Sequence, residues 1–143
     1  MKPVIQKDKT GCGFACVATL AGVSYQHVKT GAGQLGIHVK DPKLWSDTKY
    51  IQKLLTSYGL SIANKTTTFK SWANLPPLAL LAIKWHKRNN CAFWHWVVFY
   101  RGPKGPVVMD PKRELRTHCR TDFGRIKPKW FLTVTIPQSN MIG

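Results

Sequence analysis

Residues 12–21, Cys-Gly-Phe-Ala-Cys-Val-Ala-Thr-Leu-Ala, decide the fold, and Gly22 follows them directly. Their side chains are small and apolar on nearly every side, so the stretch lacks the polar stripe of a surface helix. The pattern predicts a buried helix, and Gly22 is placed to end it. We therefore expect this helix to lie inside the molecule rather than on its surface.

The chain continues from this helix with further helices before it changes to strands. A second short helix is predicted near residues 24–35, and recurring glycines between Gly31 and Asp41 indicate a loop. A third helix is predicted over residues 48–58, because its apolar side chains fall on one helical face: Tyr50, Ile51, Leu54, Leu55 and Tyr58. Residues 60–62 then favour a short strand, and residues 69–74 a further helical turn.

The second half of the chain has the apolar, β-branched and aromatic runs that are typical of strands. Strands are predicted over residues 78–85, 95–100, 107–109 and 130–136, with a Gly/Pro-rich turn over residues 101–106. Short turns of this kind join antiparallel neighbours. The sequence therefore predicts an α+β fold, in which N-terminal helices pack on one side of a C-terminal antiparallel sheet.

Length and composition indicate one globular domain over residues 1–143. Apolar residues make up 43% and charged residues 20% of the chain, which excludes a disordered chain, a collagen-like repeat and a coiled coil. No apolar run approaches the roughly 20 residues of a membrane-spanning helix, and the N-terminus has no signal-peptide core. We therefore expect a cytoplasmic protein whose cysteines are free thiols: Cys12, Cys16, Cys91 and Cys119.

The charge of the chain is unusual, since 22 Lys and Arg residues against 6 acidic residues give a net charge of +16. Such a surface attracts polyanions, whether nucleic acid, acidic protein or anionic membrane. The basic residues are spread along the chain, with local clusters over residues 84–88 and 112–120. One hypothesis is therefore a non-catalytic basic module that binds nucleic acid or an acidic protein, although no aromatic platform accompanies the charge.

Cys12 is the first candidate for chemistry. It lies between Gly11 and Gly13 at the start of the predicted helix, where the positive end of the helix dipole favours a thiolate. Flanking glycines allow backbone and substrate to approach closely. The same features suit a small buried residue at a helix start, so the local sequence leaves both interpretations open.

A nucleophilic cysteine needs a base and a group that orients the base. His95 begins one predicted strand and Asp110 ends the next, so a hairpin of these strands brings both side chains to one end of the sheet. Gln6 precedes Cys12 by six residues, and from there its amide can fold back to donate to a developing oxyanion. Taken singly, these residues also suit a structural histidine, an Asp-Pro turn and a surface glutamine.

Three separated motifs resemble those of the C39-like cysteine peptidases, which are papain-like enzymes. Residues 6–16, Gln-Lys-Asp-Lys-Thr-Gly-Cys-Gly-Phe-Ala-Cys, resemble their Gln-x-Asp-x-x-Asp-Cys-Gly-x-Ala-Cys opening. Residues 95–102, His-Trp-Val-Val-Phe-Tyr-Arg-Gly, resemble their His-Phe-Val-Val-x-x-x-Gly strand. Residues 107–111, Val-Val-Met-Asp-Pro, resemble their apolar strand that ends in Asp-Pro, and the order of the motifs matches across most of the chain.

The resemblance implies a papain-like fold and amide hydrolysis through a thioester, with a protein or peptide as substrate. It implies Cys12 as nucleophile, His95 as general base and then general acid, Asp110 as the group that orients His95, and Gln6 as oxyanion donor. Gly11 departs from the family's Asp. We also expect no attached transporter domain. We predict a stand-alone peptidase of bacterial or phage type. The alternative is a glutamine deamidase or transglutaminase-type effector or toxin, secreted by a non-classical route.

We predict no cofactor and no metal. The cysteine and histidine spacings at residues 12–16 and 91–95 permit a zinc site, but structural zinc more often uses cysteine pairs on tight knuckles than cysteines on an apolar helix. Alternation places Trp94 and Trp96 on the strand face opposite His95, which predicts packing rather than lining of a substrate groove. The basic surface favours an acidic substrate and weak polyanion binding.

Overall fold

The computed structural model describes residues 1–137, which form a helical layer followed by a sheet. The helices are α1 (Cys12–Ala21), α2 (Tyr25–Gln34) and α3 (Lys49–Ser57), with short 3-10 turns at Pro42–Trp45 and Trp72–Asn74. The strands are β1 (Ser61–Ile62), β2 (Thr67–Thr68), β3 (Leu78–Arg88), β4 (Cys91–Gly102), β5 (Gly105–Met109), β6 (Cys119–Arg120) and β7 (Trp130–Thr135). The predicted α+β class is confirmed. Within residues 1–137, no helix is long and apolar enough to cross a bilayer.

The sheet is antiparallel throughout and has the order β1-β7-β3-β4-β5-β6, with β2 also paired to β7. The long β3–β4 hairpin lies at its centre, and Arg88 pairs with Cys91 at the tip of this hairpin. β5 pairs with the other edge of β4. The structure therefore contains the predicted hairpin that joins the strand of His95 to the strand before Asp110.

The two faces of the sheet bury separate hydrophobic clusters, because successive side chains of a strand point to opposite faces. On one face, Trp96 and Val98 of β4 belong to a cluster that includes residues of α1, α2 and α3. On the other face, Val97 and Phe99 cluster with residues of the connecting segments, including Leu75. Among residues 1–137, α1, α2 and α3 therefore cover one side of the sheet, as the sequence predicted.

Helix α1 is buried from Cys12 to Leu20, which confirms the prediction from its composition. It ends where Gly22 adopts a left-handed backbone conformation with φ of 71°, and the Gly22 N–H donates to the Ala18 carbonyl at 2.9 Å. Glycine adopts this conformation without the steric cost that a Cβ imposes. The helix thereby holds its first residue, Cys12, in the cluster between helices and sheet.

The predicted loop that starts at Gly31 is wrong for its first residues, because α2 continues to Gln34. The buried residues Tyr25, Val28 and Ala32 lie at helical spacing and pack one face of α2 into the interior. Burial of that face outweighs the weak helix propensity of the two glycines near the end of the helix.

Strands β3 and β4 are longer than predicted and meet in a tight turn. Asn89 and Asn90 have positive φ values of 52° and 63°, as a two-residue type I′ hairpin requires. Asparagine tolerates this conformation better than most residues, so the strands run on to the turn and Cys91 begins β4. The predicted Gly/Pro turn is also shorter, because β4 continues to Gly102 and β5 begins at Gly105.

Candidate active site

Cys12 is the first residue of α1 and is 1% exposed. Its glycine neighbours are required by packing: a Cβ at Gly11 would lie 2.1 Å from the Tyr25 hydroxyl, and a Cβ at Gly13 would lie 1.9 Å from the Tyr50 hydroxyl. Overlaps of this size exclude a side chain unless the tyrosines move. The glycines therefore make room for two tyrosines beside the thiol, a reason that the local sequence did not indicate.

The structure brings His95 and Asp110 together at one end of the sheet. His95 lies in β4, Asp110 follows the last residue of β5, and His95 Nε2–H donates to Asp110 Oδ1 at 2.7 Å. Asp110 is fully buried, and the side chain of His95 is 15% exposed. This contact uses Nε2 of His95, and Cys12 is near enough for its hydrogen bonding and its charge to raise the pKa of the imidazole.

Arg120 is a contact of Asp110 that no sequence pattern indicated. Its Nη1 donates to Asp110 Oδ2 at 2.9 Å, while Nε and Nη2 grip both oxygens of Asp122 at 3.0 and 2.8 Å. The Lys112 N–H donates to Asp110 Oδ1 at 3.1 Å, and the Asp110 N–H donates to the His118 carbonyl at 2.8 Å. Both carboxylate oxygens are therefore held in place, which buried carboxylates require.

The charges of the pair stabilise each other despite burial. Burial raises the pKa of Asp110, but the hydrogen bond and charge of His95, the Lys112 N–H and Arg120 bring it down to about 2. Burial lowers the pKa of His95, but hydrogen bonds with Asp110 and Cys12, and their charges, raise it to about 9. At neutral pH the pair is therefore an imidazolium beside a carboxylate.

Gln6 lies next to this end of the sheet, because its N–H donates to the Pro111 carbonyl at 3.0 Å. Its side chain is buried, and Nε2 donates to the carbonyls of Asp8 and Lys9 at 3.0 and 3.2 Å. Its Oε1 has no hydrogen-bond partner within residues 1–137. Both amide hydrogens are thus used by the loop before Cys12, so donation to an oxyanion requires rotation of the amide, and this role stays a prediction.

A cleft of about 500 Å³ opens beside His95. Its cationic and imidazole side chains are Lys9, Lys84, His86 and Arg88, and its apolar walls include Trp45, Phe93 and Trp94. Trp96 is fully buried in the core, whereas Trp94 packs edge-on against Trp96 at 5.7 Å and also borders the cleft. The prediction of packing is therefore confirmed for Trp96. For Trp94 it is incomplete, because this side chain both packs against Trp96 and lines the cleft.

The cysteines do not gather into a metal centre in the described part of the chain. All four are free thiols, with Cys12 and Cys16 buried and Cys91 and Cys119 exposed. Within residues 1–137, no group of three or more His, Cys, Asp or Glu side chains is placed to hold a metal ion.

The arrangement is that of the papain-like α+β class. A buried thiol lies at the start of a central helix, and the antiparallel sheet that this helix faces carries an imidazole–carboxylate pair. The chain belongs to the peptidase C39 family, whose sequence model matches residues 1–138. It is therefore a cysteine peptidase by family, which agrees with the resemblance of its three motifs.

Among solved structures, the fold is similar to a double glycine motif protease from an AMS/PCAT transporter, determined in complex with the leader peptide. The two chains share 17% sequence identity with a TM-score of 0.56, and the match covers 93% of this chain and 89% of the other. At this identity the likeness concerns the fold. No curated protein matches the chain in sequence.

Proposed function

We propose that this chain hydrolyses a peptide or isopeptide bond through a thioester on Cys12, with His95 as the proton carrier and Asp110 as the group that orients it. The observation that carries the proposal is the His95–Asp110 hydrogen bond of 2.7 Å next to a thiol at the start of α1. A nucleophile, a base and an orienting carboxylate in this order are what acyl transfer requires.

The proposed reaction has two stages. Cys12 gives its proton to His95, its Sγ attacks the carbonyl carbon, the C–N bond breaks, and the protonated His95 gives the proton to the leaving amine. Water then attacks the thioester, His95 accepts a proton from it, and the C–S bond breaks to release the acid. His95 passes this proton to Sγ, which restores the free thiol. The raised pKa of His95, about 9, favours the protonated form that the first stage needs.

The oxyanion of each tetrahedral intermediate needs hydrogen-bond donors. The first intrahelical hydrogen bond of α1 runs from the Ala15 N–H to the Gly11 carbonyl, so the N–H groups before it have no intrahelical acceptor. We assign the Cys12 N–H as one donor. Gln6 is the proposed second donor. For this role its Nε2 gives up one hydrogen bond to a loop carbonyl and donates to the oxyanion instead.

A peptide is the proposed substrate, and the leader peptide bound to the similar transporter protease supports this class. The same thioester also serves deamidation of glutamine and transfer to an amine, because these reactions differ in the leaving group and in the acceptor. Product masses distinguish them. Peptide cleavage gives two fragments, deamidation adds about one dalton, and transfer adds the mass of the amine less ammonia.

The test compares the reactivities of the four thiols with their exposure. A short iodoacetamide pulse between about pH 5 and pH 8, followed by peptide mapping, should label buried Cys12 at least about tenfold faster than exposed Cys91 and Cys119. We expect His95→Ala to remove this selectivity, and His38→Ala, which changes an exposed histidine, to retain it. Labelling that simply follows exposure, with Cys91 and Cys119 first, would refute the proposed function.

A further inference from the structure

The cleft beside His95 is lined by basic side chains and by no described acidic one. We call it the basic cleft and define it by Lys9, Lys84, His86 and Arg88, with Trp45 and Phe93 as its main apolar walls. Within residues 1–137, Lys9, Lys84 and Arg88 form no ion pair, so their charges are available to a ligand.

Lys84 reaches this position through a break in the regular pairing of β3. The register between β3 and β4 shifts between Ile83 and His86, and Lys84 between them has a positive φ of 54°. His86 Nδ1–H donates to the Lys84 carbonyl at 2.9 Å, and the His86 ring stacks on Phe93 at 5.8 Å. A bulge of this kind redirects a side chain, and a non-glycine residue with positive φ is a strained feature that often marks a functional position.

The charges around Lys84 are not neutralised by the protein itself. Burial lowers the pKa of Lys84, and Lys112 and Arg120 lower it further, whereas Asp110 opposes them. Asp110 already forms ion pairs with His95 and Arg120. A carboxylate from a ligand is the group that would balance this excess of cations close to the reacting centre.

We propose that the basic cleft binds the substrate, that this substrate is a peptide segment with acidic side chains next to an apolar one, and that Lys84 is the main specificity-determining residue. The proposal rests on the proposed function, since it names the substrate class of the same site. The cations select carboxylates, while Trp45 and Phe93 offer contact area to an apolar side chain. Folded acidic surfaces fit less well, because the space of about 500 Å³ accommodates only a short segment.

The test measures binding without chemistry, in the full chain with Cys12→Ala. Two libraries of short blocked peptides, identical except that one carries Glu where the other carries Gln, compete for the immobilised protein and are quantified by mass spectrometry. We expect at least about tenfold enrichment of Glu peptides that contain Leu or Phe at about 50 mM NaCl, and a smaller enrichment at about 300 mM.

Variants of Lys84 make the test specific to the cleft. Asn and Gly both accept positive φ, so Lys84→Asn and Lys84→Gly should fold and should lose most of the enrichment. Lys104→Asn is the matched control, because it removes the same charge from the exposed turn at the opposite end of β4. This variant should retain the enrichment of Glu peptides. Lys84→Glu should lower the enrichment of Glu peptides further than the two neutral variants do, because it adds a carboxylate to the cleft. An equal loss in the Lys84 and Lys104 variants would overturn the proposal, because only net charge would then matter.

The outcomes separate this proposal from the proposed function. If Cys12 is alkylated selectively but Glu and Gln peptides are retained equally, the proposed peptidase function stands. The acidic specificity is then overturned. Enrichment of Glu peptides that depends on Lys84, without selective alkylation, would support the cleft and refute the chemistry. Stronger Lys84-dependent retention of a single-stranded oligonucleotide than of Glu peptides would assign the cleft to nucleic acid and overturn the proposal.

Discussion

The two carboxylate oxygens of Asp110 contact different groups, the imidazole of His95 and the guanidinium of Arg120. Its Oδ1 accepts from His95 and its Oδ2 accepts from Arg120, which also grips Asp122. Arg120 therefore orients Asp110 and at the same time weakens the hold of Asp110 on the His95 proton. Arg120 is a positioning residue, because it acts on the imidazole through Asp110.

Arg120→Gln is expected to raise the pKa of His95 above its value of about 9, because the imidazolium then keeps the whole charge of Asp110 and loses a nearby cation. The free energy of unfolding should fall by roughly 1–3 kcal/mol, since buried Asp110 loses a charge-assisted hydrogen bond. NMR titration of the imidazole and urea unfolding measure the two effects. Arg116→Gln, at an exposed position nearby, is the control. An unshifted His95 titration in Arg120→Gln would contradict this account.

At the scale of the element, the start of α1 is packed so closely that one added methyl group disturbs it. A Cβ at Gly13 would lie 1.9 Å from Oη and 2.8 Å from Cζ of Tyr50, which is itself buried. We expect Gly13→Ala to lower the free energy of unfolding by roughly 1–3 kcal/mol, because either Tyr50 or the helix start must move. Urea unfolding measures the loss, and slower alkylation of Cys12 would report a displaced thiol.

Two variants serve as controls for this prediction. In Gly33→Ala, the new Cβ has no contact within 4 Å among residues 1–137 apart from its chain neighbours and the backbone of α2. The higher helix propensity of alanine should therefore make this variant slightly more stable than the natural chain. Tyr50→Phe removes a buried hydroxyl that has no hydrogen-bond partner within residues 1–137, and it should restore part of the stability lost in Gly13→Ala. Equal losses in the Gly13 and Gly33 variants would exclude packing against Tyr50 as the cause.

The elements that could be predicted carry a local pattern of their own. α1 follows from its composition, α3 from its periodicity, and the pairing of β4 with β5 from a short turn, which is why His95 and Asp110 were expected to meet. β2 and β6 have two residues each and exist only through pairing with other strands, so no local pattern marks them. Arg120 lies in β6 and Lys84 at the bulge of β3, and their positions near Asp110 depend on that long-range pairing.

At the scale of the whole molecule, the charge of +16 has few internal counter-ions. Three of the acidic residues, Asp8, Asp110 and Asp122, form ion pairs within residues 1–137. The remaining cations repel one another, and salt screens this repulsion. The pH dependence of stability that comes from the site is therefore measured as the difference in unfolding free energy between the natural chain and a variant at one ionic strength. The repulsion among the other cations is common to both proteins and cancels in this difference.

We expect the His95–Asp110 pair to stabilise the fold most between about pH 4 and pH 6.5. The pKa of His95 is raised from 6.5 to about 9, so its contribution is complete below pH 6.5 and is lost as the pH rises through 9. The pKa of Asp110 is lowered from 3.8 to about 2, so its contribution is complete above pH 3.8 and is lost as the pH falls through 2. Urea unfolding of the natural chain and of His95→Gln measures this contribution, with His38→Gln as the control. The difference in unfolding free energy should shrink towards about pH 9, and a difference that stays constant would show that the charge of His95 does not stabilise the fold.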